Sequence, residues 1–67
     1  MMNVVLYSTH CPKCKVLALK LKQKQINYEE INDVEIMKGK GFMSAPKLEV
    51  DGVVYDFKEA VDWIGEQ

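Results

Sequence analysis

Cys11 and Cys14 are the only cysteines in the chain, and Pro12 and Lys13 separate them. A Cys-x-x-Cys pair serves either reversible thiol–disulfide exchange or the ligation of a thiophilic metal. Here the pair directly follows a short apolar run, Val4-Val5-Leu6-Tyr7, and so sits where a strand would hand over to a helix. Pro12 suits the first helical position, because the N–H it lacks is one that no helix bond uses. Cys11 then becomes the N-cap. Its sulfur faces free backbone N–H groups and the positive end of the helix dipole, which favour thiolate over thiol. Lys13 and Lys15 add positive potential close by. Cys14 follows one turn later, near enough to reach back. The pair reads as a nucleophile, Cys11, and a resolving thiol, Cys14. Thr9 and His10, in the loop before them, are placed to touch a substrate, and His10 reads as incidental to the chemistry.

The metal reading is the rival. His10, Cys11 and Cys14 offer three donors, whereas a closed structural zinc site wants four. A closed metal site would therefore need a dimer or an outside ligand, and an iron–sulfur cluster would use the cysteines of two chains across a dimer. Covalent haem requires a histidine after the second cysteine, and Lys15 stands there. The expectation is that no metal or other cofactor is bound.

At 67 residues the chain is one small domain, 1–67, with short elements. Hydrophobic residues make up 48% of the chain, which argues for a packed core and against disorder. The formal net charge of −1 gives no general attraction to nucleic acid or membrane. Lysine supplies all nine cations, so the bidentate arginine fork that grips phosphate is missing. No stretch approaches the roughly 18 apolar residues of a membrane helix. Met1-Met2-Asn3 lacks the basic start of a signal peptide. The expectation is a cytoplasmic monomer. In a reducing compartment a lone cysteine pair is catalytic or metal-binding rather than a staple.

The elements that position the pair follow from periodicity. Residues 3–7 read as a strand buried on both faces, because the apolar residues are consecutive. Residues 12–25 read as a helix, with Leu17, Ala18 and Leu21 continuing the face begun by Cys14. Residues 28–32 read as a weaker strand parallel to the first. Asp33 caps a short helix through Met37 that Gly39 and Gly41 end. Residues 47–50 alternate as a half-buried strand does, and Asp51-Gly52 forms a hairpin turn into residues 53–55. Asp56 and Glu59 have capping-box spacing at the head of a helix over 57–64, with Phe57, Ala60, Val61 and Ile64 inward. The layout is α/β, in the order β-α-β-α-β-β-α, with a four-stranded mixed sheet and helices on both faces.

That layout, with Cys-x-x-Cys opening the first helix and Pro46 opening the third strand, resembles the thioredoxin fold and, within it, the glutaredoxins. Tyr7-Ser8-Thr9-His10-Cys11-Pro12-Lys13-Cys14 is similar to their active-site segment, Ser44-Ala45-Pro46 stands where that family has Thr-Val-Pro, and Asp51-Gly52 matches its hairpin turn. The resemblance implies a dithiol oxidoreductase that reduces protein or small-molecule disulfides. It implies a cis peptide between Ala45 and Pro46, beside the thiols, where the backbone pairs with substrate. Pro12, Lys13, Ala45, Pro46, Tyr55 and Asp56 are the substrate-binding candidates it suggests. The reductant it implies is glutathione.

The chain departs from the glutaredoxin pattern in three places. Asp56 and Phe57 occupy the positions of a Gly-Gly pair whose N–H groups hold a glutathione carboxylate, Lys13 replaces an aromatic residue, and Ser8 replaces a basic one. Asp56 occupies the helix start and repels a second carboxylate, which weakens glutathione recognition. Lys13, Lys15 and Lys47 are the cations available to compensate. Gly41-Phe42-Met43-Ser44-Ala45-Pro46 also resembles a segment of the redoxins that take electrons from thioredoxin reductase and pass them to ribonucleotide reductase. Their Trp-Ser-Gly-Phe segment is replaced here by Tyr55-Asp56-Phe57-Lys58.

Overall fold

The apolar run near the start of the chain forms strand β1 (Val4–Tyr7), and every residue in it is buried. Side chains alternate across a strand, so one run serves two cores. Val4 and Leu6 join Leu17, Leu21, Leu48, Val50, Ala60 and Ile64 on one face of the sheet. Val5 and Tyr7 join Met37 on the other. This double burial is why the run is continuous rather than alternating. The computed structural model describes residues 3–67; Met1 and Met2, on which part of the signal-peptide reading falls, lie outside the described residues.

The remaining elements are helix α1 (Pro12–Gln23), strand β2 (Glu29–Ile31), helix α2 (Val34–Gly39), strands β3 (Lys47–Val50) and β4 (Val53–Tyr55), and helix α3 (Phe57–Gly65). The sheet order is β2-β1-β3-β4. β1 and β2 are parallel, and the other two pairings are antiparallel. α1 and α3 pack against each other over the first core, while α2 contributes Met37 to the second. The four-stranded mixed sheet with helices on both faces is therefore present, in the expected order. Among the described residues no helix is long and apolar enough to cross a membrane.

Two helix ends differ instructively. α2 ends in a Schellman cap. Gly41 N–H donates to the Lys38 carbonyl and Phe42 N–H to the Met37 carbonyl, both at 3.0 Å, with Gly41 at φ +80°. α1 ends in the same cap without a glycine. Gln25 N–H donates to Lys22 and Ile26 N–H to Leu21, again at 3.0 Å, with Gln25 at φ +58°. The helix therefore stops at Gln23, before the 12–25 span its periodicity predicts, at a residue with no stop signal of its own. Ile26 then packs against the core. The hairpin turn has both central residues left-handed, Asp51 at φ 49° and Gly52 at φ 88°, as a type I′ turn requires.

Register brings the site together. Tyr7, the last residue of β1, pairs with Lys47, the first of β3. The loop leaving β1 and the segment entering β3 therefore run side by side. The first carries the cysteines and the second carries Ala45 and Pro46.

Candidate functional site

Pro12 opens α1 and Cys11 is its N-cap, as the sequence predicts. The Cys14 N–H donates to Cys11 Sγ at 3.3 Å, and the Lys15 N–H to the Cys11 carbonyl at 3.0 Å. Both thiols are free. Their exposures differ sharply: Cys11 is half-buried, whereas Cys14 is 1% exposed. On its other side the Cys11 thiol points to the Ala45 carbonyl, at the long sulfur distance of 4.0 Å. The Ala45–Pro46 peptide is cis.

Burial pushes the Cys14 thiol up, because it penalises the charged form. Hydrogen bonds from the Cys11 side chain, the Thr9 backbone, the Ser8 hydroxyl and the Cys11 backbone outweigh it, and the net direction is down. The buried thiol is therefore more acidic than burial alone would leave it.

Ser8 is a site residue whose sequence position marks it only as a missing cation. It is 2% exposed. Its N–H donates to the Ile31 carbonyl at 3.0 Å, and its hydroxyl accepts the His10 N–H at the same distance. With its amide nitrogen turned toward acceptors, Asn32 donates to the Ser8 carbonyl at 2.9 Å. These bonds hold the loop so that His10 takes φ +63° and the hydroxyl reaches Cys14. The signal available in sequence is a small hydroxyl between a buried strand and the cysteine motif.

A groove of about 370 Å³ opens beside the thiols, lined by Lys13, residues 44–47 and residues 56–58. Lys13 Nζ lies 5.4 Å from the centre of the Phe57 ring, within cation–π reach. Phe57 also packs against the first core, so it both anchors α3 and floors the groove. Lys47 and Asp56 form an ion pair across the groove. Asp56 is the N-cap of α3, and its N–H donates to Glu59 Oε1 at 3.3 Å as one half of a capping box. On the far side of Ala45 lies a smaller cleft of about 200 Å³, bordered by Thr9, Val34, Met37, Phe42 and Met43.

Lys13, Ala45, Pro46 and Asp56 line the groove, Cys11 approaches it where its Sγ faces the Ala45 carbonyl, and Pro12 and Cys14 are not part of its lining, Cys14 being buried. Tyr55 does not line it. Its ring stacks on Trp63 at 6.4 Å and packs against the first core. Lys47, named in the sequence only as a possible compensating cation, is engaged by Asp56, and Lys15 is exposed outside the groove. Among the described residues no three His, Cys, Asp or Glu side chains gather as a closed metal site requires. No family model matches the chain, and no curated protein matches it either.

Proposed function

We propose that the protein is a dithiol thiol–disulfide oxidoreductase of glutaredoxin type. The observation that carries this reading is the division of labour between the two thiols. An incoming disulfide can reach half-buried Cys11 but not Cys14 at 1% exposure. Access, which thiol exchange requires as much as acidity does, therefore separates the roles. The Cys11 thiolate attacks one sulfur of the substrate, a Cys11–substrate bond forms, the substrate disulfide breaks, and the first substrate thiolate leaves and takes up a proton. Cys14, deprotonated with help from its hydrogen bonds, then attacks Cys11 Sγ. The intramolecular disulfide forms and the second substrate thiolate leaves and is protonated. Two electrons and two protons pass from the dithiol to the substrate. A thiol or dithiol reductant returns the pair to its starting state.

Two reductants are consistent with that chemistry. Glutathione must place a carboxylate near the start of α3, where Asp56 already stands. That observation favours the second reading, a redoxin fed by thioredoxin reductase and serving ribonucleotide reductase. A shared metal or iron–sulfur site would need donors from a second chain, and no observation favours it.

The test follows loss of the Cys11–Cys14 disulfide by thiol trapping, with glutathione or with NADPH and thioredoxin reductase. We expect reduction by the enzyme system to be the faster. Rapid reduction by glutathione alone would restore an ordinary glutaredoxin assignment. Disulfide-reducing activity that survives Cys11→Ser would sink the whole proposal.

A further inference from the structure

We propose that Asp56 sets the charge of disulfide that this site accepts, by holding Lys47 away from substrate. The inference rests on the redox reading above and deepens it. The groove beside Cys11 contains the side chains of Lys13, Lys47 and Lys58 and a single carboxylate, Asp56. Lys47 is the groove cation that adjoins the segment facing Cys11. It follows Pro46 directly, and the carbonyl of Ala45 is the atom that Cys11 Sγ approaches. Its side chain is 17% exposed, against 67% for Asp56, so it is the more firmly embedded member of the pair.

The geometry leaves a substrate carboxylate two obstacles. It must displace Asp56 from Lys47, and it must approach the start of α3 against the charge of Asp56. Lys13 is partly satisfied by the face of Phe57. The disulfides that fit are those with uncharged groups flanking the sulfurs. Carboxylate-bearing disulfides are disfavoured by this single side chain, although lysines outnumber it in the groove.

The experiment measures the single-turnover second-order rate constant at which the full chain, with both thiols reduced beforehand, reduces each of three small disulfides. Dithiodipropionate is anionic, hydroxyethyl disulfide is neutral and cystamine is cationic. Asp56→Asn removes the charge but keeps a good helix cap, and Asp56→Ser is a second uncharged cap. We expect the anionic-to-neutral ratio to rise by about two- to fivefold in both variants, the range that corresponds to one exposed ion pair. The cationic-to-neutral ratio should fall. Both changes should shrink in high salt, which screens exposed charges. Adding Lys47→Gln to Asp56→Asn should cancel the anionic gain. A ratio that does not move, or a gain that persists without Lys47, would overturn the inference while leaving the redox reading intact. Failure of the wild-type protein to reduce any of the three disulfides would instead overturn the redox reading, and this inference with it.

Discussion

The Cys14 thiol is held below its ordinary pKa of 9.0 against the upward push of burial, so its hydrogen bonds do more than satisfy a polar group. A folded-state value below the unfolded one means that the folded chain binds fewer protons between the two values. The stability this contributes is complete above pH 9.0, present in part between the two values, and lost as pH falls through the folded one. The reduced wild-type protein should therefore gain more in denaturation midpoint between neutral pH and pH 9 than Cys14→Ser does. Equal gains in urea titrations would refute this. Ser8→Ala removes one of the lowering hydrogen bonds and so should move the pH midpoint of the resolving step upward, with Ser8→Thr restoring it. Stopped-flow release of the second substrate thiol reports that step separately from the first attack. Cys14→Ser should retain the first attack and accumulate the Cys11 mixed disulfide, visible by intact mass.

Capping chemistry at the ends of α1 and α2 makes a matched pair of experiments. Both helices end in the same hydrogen-bonded cap, one with Gly41 and one with Gln25 in the left-handed position. Gln25→Gly should stabilise the protein by about 0.5–1 kcal/mol, since the left-handed conformation costs a side-chain-bearing residue more than it costs glycine. Gly41→Ala should destabilise it by about 1–2 kcal/mol. The site where the new Cβ would sit is empty, so the effect is conformational alone. Thermal melts of both variants check the signs. The same contrast explains what is legible in sequence. Pro12, Asp33, the Asp51-Gly52 turn and the Asp56/Glu59 cap are local signals, and each marks the boundary it predicts, whereas α2 runs past the expected end at Met37 to include Gly39 before Gly41 stops it. The end of α1 is not legible, because Gln25 adopts a glycine conformation under tertiary pull from Ile26. In the site, Cys11 and Cys14 are legible because the first turn of a helix fixes their relation. Lys47 with Asp56, and Ser8 with Cys14, are not, because strand register and loop geometry create those contacts.

For the molecule as a whole, small size makes every core residue matter. At about 0.05–0.15 kcal/mol per residue, a domain this short is stable by only about 3 to about 10 kcal/mol. Leu17 is fully buried between α1 and the sheet. Leu17→Ala should cost about 2–5 kcal/mol, a large part of that total, and lower the Tm by about 10 °C or more. A melt shifted by only a few degrees would mean that the neighbouring side chains collapse into the space. The site itself is assembled from widely separated parts of the chain, since the cysteine loop, the Ala45–Pro46 segment and the head of α3 meet only in the finished fold. Cys11 and the carbonyl that faces it are 34 residues apart. At ribosomal speeds of about 5–20 residues per second, the thiol is made roughly two to seven seconds before its cover exists. A growing chain thus carries both sulfurs without their shelter until that segment follows. In the proposed function the pair must be reduced to work, and until that segment is in place its surroundings, not the fold, have to keep it so.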